Sequence, residues 1–372
     1  MDKNFVDKCW EKLDNKLSIT AVSSYDKLPY TTINGVHDDK KESDIGWWTN
    51  GFWPALMMLM YVGTKKEQYL KTCRNGMDIM DKALMDYDAL HHDVGFMWNI
   101  SSGMDYRVTG DTKQRNRFLV AANHLMGRFN HDAEFIRAWN DWGNPAHRGW
   151  AIIDCMMNIP LLYWASKETK DDRYKYIAMA HADKTLKYHL REDGSVNHIV
   201  NYDPVTGDVV EVLAGQGWAA DSSWSRGQSW GLYGFTLSYI HTKEKRYLDA
   251  AKKIANYFIA ACCDDYLPKC DFRSPEEPVY YDSSASMIAA CGLIELSKLL
   301  DENEGRIYLN AAINLVKAAV EKHADFSDDS DAILHNGTVA YHFGEKNFDM
   351  VYCDYYFVEA ISKLKGFDTF LW

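Results

Sequence analysis

The segment Thr242-Lys-Glu-Lys-Arg-Tyr247-Leu248 is a polar turn that leads through an aromatic–aliphatic pair into a helix rich in Ala and Lys. Four other segments repeat this order, and their pairs are Tyr69-Leu70, Phe118-Leu119, Tyr176-Ile177 and Tyr308-Leu309. The turns supply N-cap side chains and early acidic residues, which are typical of a helix start. Because the order recurs along the chain, the sequence predicts a series of helical hairpins.

Two kinds of helix alternate in this series. One set has a single apolar stripe and is predicted at 4–19, 65–86, 111–129, 172–190, 244–263 and 305–323. The other set is apolar on all sides and is predicted at 50–62, 96–109, 149–167, 225–241, 282–300 and 352–364. A helix that is apolar all round is enclosed by protein, whereas a striped helix covers it from outside. The pattern predicts an all-α (α/α)6 barrel, a toroid of six hairpins.

We expect this barrel to form one domain over residues 1–372, because each hairpin needs its neighbours to bury its apolar faces. Two short β-strands are predicted at Ser195–Asn201 and Asp208–Leu213, on either side of the Asp203-Pro204 turn. Elsewhere in the sequence, no stretch shows the alternation of apolar and polar residues that is typical of a β-strand.

Charge and composition exclude several classes of partner. The 372 residues include 53 acidic and 41 basic side chains, giving a net charge of −12, which opposes binding to nucleic acid or to an anionic membrane. No apolar run reaches the roughly 18 residues of a membrane span, and the segment Met1-Asp-Lys-Asn-Phe5 lacks the apolar region of a secretory signal. The eight cysteines have no CxxC spacing, so we expect reduced thiols. These features favour a cytoplasmic protein, and we expect a monomer or weak homo-oligomer.

Aromatic residues concentrate in the segments that lead into the inner helices. Of the 13 tryptophans, 11 lie between Trp47 and Trp230. All six segments precede inner helices, so we expect them to meet at one end of the ring. Aromatic rings beside carboxylates, Gln, His and Arg are typical of a sugar pocket, because sugars offer C–H faces for stacking and hydroxyls for hydrogen bonds.

Two carboxyl groups are the candidate catalytic residues. Asp154 lies in the apolar run Ala151-Ile-Ile-Asp-Cys-Met-Met157, about two turns into a predicted inner helix, where an unpartnered carboxylate is costly. Asp93 follows two histidines at a turn. Backbone capping is the alternative role for each. A carboxyl in apolar surroundings keeps its proton to higher pH and acts as an acid near neutrality, so the pair suggests glycosidic chemistry.

We expect no metal ion and no cofactor. His92 and His198 are a candidate metal pair, but neither has a further ligand at a spacing typical of zinc.

A series of ordered motifs runs from residue 48 to residue 285, and a further motif lies near the C-terminal end. The motifs are Trp48-Thr-Asn50-Gly-Phe-Trp-Pro54, His92-Asp93-Val-Gly-Phe-Met97, Arg128-Phe-Asn130 with Ile136-Arg-Ala-Trp139, Ile153-Asp154-Cys-Met-Met-Asn158, Gly215-Gln216-Gly217, Trp224-Ser-Arg226-Gly-Gln-Ser-Trp230-Gly231, Tyr281-Asp282-Ser-Ser-Ala285 and Cys353-Asp354-Tyr-Tyr-Phe357. In these motifs the chain resembles the unsaturated glucuronyl hydrolases, glycoside hydrolase family 88. The family fold is the (α/α)6 barrel.

The resemblance implies a hydrolase that acts on sugars made by polysaccharide lyases, which leave a 4,5-unsaturated uronic acid at the non-reducing end. The family hydrates the C4=C5 enol ether, and the unstable hemiketal releases the rest of the sugar. Asp154 matches the general acid/base and Asp93 the second catalytic carboxylate. The implied substrate-binding residues are Trp47, Asn50, His92, Trp139, His198, Gln216, Arg226 and Trp230.

Two other interpretations stay open at this point. The unsaturated rhamnogalacturonyl hydrolases, family 105, share the fold and chemistry but cleave pectin fragments. The motifs around Trp139 and Asp154 favour family 88, with glycosaminoglycan disaccharides as substrates. A non-catalytic sugar-binding toroid would keep the tryptophans without needing Asp93 and Asp154 together.

Overall fold

The computed structural model describes residues 3–367 and 372. The described part of the chain is mostly helical. Its α-helices are α1 Lys3–Ser23, α2 Phe52–Thr64, α3 Glu67–Leu84, α4 Val94–Trp98, α5 Met104–Thr109, α6 Thr112–Gly127, α7 Pro160–Thr169, α8 Asp172–Tyr188, α9 Ser225–Thr242, α10 Lys245–Cys262, α11 Ser283–Ser297, α12 Glu302–Lys322 and α13 Val351–Lys365. A π-helical turn, Asn99–Gly103, joins α4 to α5, so these two form one inner helix.

The inner helices close into a ring. Helix α2 packs against the π-helical turn that joins α4 and α5, α4 against α7, α7 against α9, α9 against α11, α11 against α13, and α13 against α2. The outer helices α1, α3, α6, α8, α10 and α12 cover this ring. Every residue of α9 from 225 to 238 is buried, whereas α10 buries one face only. The predicted (α/α)6 barrel is therefore confirmed.

The hairpin turns carry the predicted capping signals. Asp111, Asp171 and Asp301 are N-caps of outer helices, and each side chain accepts a hydrogen bond from a backbone N–H of the first turn. In the copy that contains Tyr176-Ile177, the buried aromatic residue is Tyr174, whereas Tyr176 is 60% exposed. Helix α8 starts at Asp172, which directs Tyr174 towards the barrel.

The strands are short. They are β1 Thr32–Ile33, β2 Val36–His37, β3 Phe129–Asn130, β4 Phe135–Ile136, β5 Trp150–Ile152, β6 Ile199–Tyr202, β7 Val209–Leu213, β8 Gly337–Thr338 and β9 Lys346–Phe348. Strands β5, β6 and β7 form an antiparallel sheet in that order. Strand β7 lies within the second predicted strand, and β6 overlaps the first but extends one residue beyond it, to Tyr202.

The predicted inner helix at 149–167 begins later than expected. Strand β5 pairs Trp150 with Asn201, a 3₁₀ turn follows over Ile153–Met157, and α7 starts only at Pro160. Proline has no N–H to donate and fits the first turn of a helix, so it marks this start. The prediction that Asp154 lies two turns into a helix is wrong, because Asp154 belongs to the 3₁₀ turn.

A continuous hydrophobic core follows the ring from Val6 in α1 to Val358 in α13. All eight cysteines are free thiols, and Cys263 alone among them is exposed. Within the described residues, we find no helix with the length and apolar character needed to cross a membrane.

Candidate active site

One cavity of about 320 Å³ opens where segments preceding the inner helices meet. Four of the six predicted segments contribute to its lining, through Trp47, His92, Asp154 and Tyr352 and their neighbours. The two predicted segments that lead into α9 and α11, at 223–230 and 280–285, contribute no lining residue. Residues of the β6–β7 region and of the loop after β8 line the cavity instead. The full lining is Tyr30, Trp47, Trp48, His91, His92, Asp93, Trp139, Trp142, Ile152, Asp154, His198, Ile199, Gly215, Gln216, Val339, Phe343 and Tyr352.

Asp93 stands at the N-cap position of α4, but its side chain makes no capping hydrogen bond. Its Oδ1 accepts a hydrogen bond from Asn158 Nδ2 at 2.9 Å. The histidines before it face the same carboxyl group, with His91 Nδ1 3.4 Å from Oδ2 and His92 Nε2 3.4 Å from Oδ1. The carboxyl is therefore held for a purpose other than capping.

Asp154 has a carboxyl oxygen without a hydrogen-bond partner at the cavity. Its Oδ1 is buried and has no hydrogen-bond partner, and His198 Nε2 lies 3.9 Å away. Burial raises the pKa of Asp154 to about 7, and the positive charge of Arg226 opposes this rise. Near neutral pH this group therefore exists in both protonation states, as a general acid/base requires.

The charge of Asp154 acts on the carboxyl group of Asp93. Burial raises the pKa of Asp93 well above its usual value, and the nearby charge of Asp154 raises it further, while the hydrogen bond from Asn158 lowers it. Two buried carboxyl groups in one cavity resist ionising together, so an ionised Asp154 favours the protonated form of Asp93.

The β6–β7 region positions His198 and Gln216. His198 Nδ1 lies 3.1 Å from Ala214 O and accepts a hydrogen bond from the backbone N–H of Gln216 at 3.0 Å, which fixes the ring. Gly215 has φ +55°, and a Cβ there would lie 2.1 Å from His198 Nδ1, so only glycine fits. Burial lowers the pKa of His198 to about 3, so the imidazole is neutral at ordinary pH.

Aromatic rings form the walls of the cavity. The predicted residues Trp47 and Trp139 both line it, and both are half-buried. Trp48, Trp142 and Phe343 also line it and were not predicted as binding residues, because sequence position alone did not separate them from core aromatics.

The structure does not bring Arg226 to the cavity. Its Nη1 donates to Asp282 Oδ2 at 2.5 Å and to Thr338 O at 2.9 Å, and its Nη2 donates to Val339 O at 2.6 Å. Asp282 is the N-cap of α11 and lies on the neighbouring inner helix. The predicted direct contact of Arg226 with the uronate is therefore corrected, because the buried guanidinium already has its counterion in the protein.

Two other predicted binding residues lie in the packed interior. Trp230 is 0% exposed, and its ring is 5.0 Å from Phe96 and 5.6 Å from Tyr356, so it has no free face for a sugar. Asn50 is also fully buried, and its Nδ2 donates to the carbonyls of Asp44 and Ile45. Trp230 lies in a helix that is buried on all sides, and Asn50 holds the loop before α2. Neither residue is among those that line the cavity.

One group of metal donors occurs within the described residues. Ligand atoms of His91, His92 and Asp93 lie within 4.8 Å of one another. This group differs from the candidate metal pair of the sequence analysis, because it includes His92 but not His198. Burial lowers the pKa of His91 to about 3, which leaves its ring neutral, but Asp93 is already bonded to Asn158.

Sequence reasoning missed His91 and Asn158 as site residues. Asn158 is fully buried, and besides its bond to Asp93 it donates to Asp154 O at 3.1 Å and accepts from Phe96 N–H at 2.8 Å. The available signal was its place in the Asp154 motif, four residues after Asp154. A polar amide in an apolar run is costly unless its hydrogen bonds are satisfied.

Comparison with known proteins places the chain among sugar-degrading enzymes. No protein-family model matches the sequence. The chain is 36% identical over 331 residues to an unsaturated glucuronyl hydrolase of Bacillus sp., covering 87% of this chain and 88% of that one. It is 34% identical over 325 residues to an unsaturated chondroitin disaccharide hydrolase of Streptococcus pneumoniae, covering 85% and 81%.

Solved structures agree with these relatives. The crystal structure of unsaturated glucuronyl hydrolase from Streptococcus agalactiae superimposes with a TM-score of 0.91 at 28% identity, over 100% of this chain and 94% of that one. An aspartate-to-asparagine variant of that enzyme, complexed with dGlcA-GalNAc6S, superimposes with a TM-score of 0.85 at 27% identity and the same coverage. The shared sequence, fold and coverage lead to one conclusion: the chain belongs to the unsaturated glucuronyl hydrolases, a family of glycoside hydrolases.

Proposed function

We propose that this enzyme releases the 4,5-unsaturated uronic acid from disaccharides that lyases make from glycosaminoglycans. The observation that carries the proposal is the pair Asp93 and Asp154, two carboxyl groups with raised pKa that face one aromatic-walled cavity. The relatives named for unsaturated glucuronides and chondroitin disaccharides support the substrate class.

The reaction begins at the C4=C5 double bond, which is an enol ether because C5 carries the ring oxygen. Protonated Asp154 donates its proton to C4, and positive charge develops across C5 and the ring oxygen. Water then adds at C5, and the Asp154 carboxylate takes a proton from that water. The C5 hemiketal opens to a ketone, and the hemiacetal left at C1 releases the remaining sugar with its glycosidic oxygen.

Asp93 supports this chemistry as the second carboxyl group. Because burial and the charge of Asp154 raise the pKa of Asp93, a neutral Asp93 can hydrogen-bond a substrate hydroxyl without repelling the negatively charged uronate. When Asp154 has given up its proton, its own carboxylate lies beside the cation and stabilises it.

Binding of the uronate relies on neutral donors and aromatic faces. No Lys or Arg is among the cavity-lining residues of the described chain. We assign polar contacts to His92, His198 and Gln216 and stacking to Trp47 and Trp139. Arg226 contributes through its electric field, since its charge reaches Asp154 without contact to the cavity.

The test uses a panel of lyase-made disaccharides while the absorbance of the conjugated double bond is followed. We expect the absorbance to fall with chondroitin and hyaluronan products and to persist with pectin products. The matched control is Asp154→Asn, which has the same shape but no proton to give, and its turnover should fall by roughly 10²–10⁴-fold with unchanged circular dichroism. No loss of absorbance with any substrate would leave a sugar-binding protein, and loss with pectin fragments alone would favour the rhamnogalacturonyl specificity.

We further propose that the barrel unfolds as one domain and works in the cytoplasm as a monomer or weak homo-oligomer. The core that runs from α1 to α13 supports a single cooperative unit, and the free thiols fit a reducing compartment. Coincident thermal transitions by fluorescence and by circular dichroism would agree with one domain, whereas two separated transitions would contradict it.

A further inference from the structure

We propose that Trp142 is a platform for the sugar that follows the unsaturated uronate, and that it sets the preference of the enzyme for the leaving group. The inference rests on the proposed function. It concerns a turn on the cavity rim, Asp141–Asn144, which none of the recognised motifs contains.

The turn holds a tryptophan in an unfavourable backbone conformation. Asn144 N–H donates to Asp141 O at 2.7 Å, and the two central residues have φ values of 42° for Trp142 and 82° for Gly143. Two consecutive left-handed residues define a type I′ turn, in which Asn, Asp and Gly are favoured and a bulky side chain is disfavoured. A strained residue persists only where its surroundings hold it, and such residues cluster at ligand sites.

The surroundings of the turn do hold it. The carboxyl of Asp141 forms ion pairs with Arg137 and with Arg148, and Arg148 Nη2 lies 2.6 Å from Asp141 Oδ2. Asn140 Nδ2 donates to Leu90 O at 3.0 Å, which connects the turn to the segment that carries His91. The position of the indole is therefore fixed relative to the catalytic segment.

The indole of Trp142 packs against His91, which faces the carboxyl group of Asp93. Its centroid is 5.8 Å from that of His91 at 90°, and His91 Nδ1 is 3.4 Å from Asp93 Oδ2. Trp142 lines the cavity and yet is 55% exposed, as is Phe343 from the loop after β8. An exposed aromatic face on a sugar cavity fits the apolar C–H face of a pyranose ring. Because the uronate must reach Asp154, the outer ring faces the leaving sugar.

The test compares leaving groups within one variant. The substrates are an unsaturated uronate methyl glycoside, which has no second ring, and the hyaluronan-derived unsaturated disaccharide and tetrasaccharide. The informative variant is Trp142→Asn, because Asn tolerates the left-handed conformation and removes only the ring. The control is Tyr176→Ala, which removes an equally exposed aromatic ring from α8, away from the cavity.

We expect the ratio of kcat/KM for sugar leaving groups to that for the methyl glycoside to fall by roughly 3- to 10-fold in Trp142→Asn, the size of one lost aromatic contact. Thermal stability should be at least that of the wild type, since the turn strain is relieved. Trp142→Phe should restore part of the ratio, and Tyr176→Ala should leave it unchanged. An unchanged ratio in Trp142→Asn, or an equal fall in Tyr176→Ala, would overturn the platform. Failure of the wild type to act on any of the three substrates would instead refute the proposed function.

Discussion

Asn158 donates a hydrogen bond from Nδ2 to Oδ1 of Asp93 at 2.9 Å, across 65 residues of sequence. The same side chain also bonds the backbone of Asp154 and of Phe96. A Cβ on Gly95 would lie 2.5 Å from Asn158 Cα, so the start of α4 approaches the Asp154 turn as closely as backbones allow. One buried amide thus fixes the carboxyl group of Asp93 relative to the backbone of Asp154.

Removing this amide should impair catalysis more than binding. Without the Asn158 side chain the carboxyl of Asp93 can rotate, and a misplacement of about 1 Å costs about 10²-fold in rate. We predict that Asn158→Ala lowers kcat by about that factor, with a smaller change in KM. Asn158→Asp keeps an acceptor for Phe96 N–H but lacks the donor, so it should also lose kcat. Near-normal kcat in a folded Asn158→Asp protein would mean that this hydrogen bond does not position Asp93.

The pH dependence should follow Asp154. The acid form gives the proton to C4, and its pKa is about 7. Log kcat/KM should therefore be level below this pKa and should fall above it by about one unit for each pH unit. Initial rates on an unsaturated disaccharide between about pH 5 and 9 measure this profile. A rate that rises above neutral pH would show that the reaction needs the ionised form in the free enzyme.

The same carboxyl group should cost the protein stability. The folded pKa of about 7 lies above the usual 3.8, so between these values the folded state binds more protons than the unfolded state, and stability falls as pH rises. Asp154→Asn removes this titration. We predict that the variant is more stable than the wild type by up to about 4 kcal/mol above pH 7, with the gain vanishing below about pH 4. Urea unfolding of the wild type and of Asp154→Asn, above pH 7 and below about pH 4, measures this difference in stability. An equal gain in both pH ranges would contradict the burial effect.

The Arg226–Asp282 pair should be structural. Removing one partner leaves a buried charge unpaired, so Arg226→Met should lose about 3–5 kcal/mol of unfolding free energy. Asp282→Asn keeps an N-cap oxygen for Ser284 N–H, and the double variant should recover much of the loss. Denaturant unfolding of the single and double variants provides the measurement. Wild-type stability in Arg226→Met would mean that the pair is dispensable to the fold.

The barrel could be predicted because its signals are local and repeated. The caps Asp111, Asp171 and Asp301 and the alternation of striped and fully apolar helices depend on residues close in sequence. The start of α7 was missed, although Pro160 marked it, because the apolar run before it fits a helix as well as a strand.

The site could be predicted only in part because a motif does not fix where each side chain points. Asp93 and Asp154 both reach the cavity, but Arg226 and Trp230 share one motif on α9 and point into the protein. The role of Asn158 depends on a contact with a residue 65 positions away, which no local pattern contains.

The central claim is that the double bond is hydrated and that the anomeric carbon is not attacked. The reaction should be run in D₂O with an unsaturated disaccharide and quenched at early times, following double-bond loss, sugar release and deuterium at C4 by NMR. The account predicts that double-bond loss never lags behind sugar release and that one deuterium enters C4 on a single face. Asp154→Asn should abolish both signals together. Sugar release that precedes double-bond loss, with deuterium later appearing on both faces of C4, would show that Asp93 and Asp154 act at C1 as an ordinary glycosidase pair.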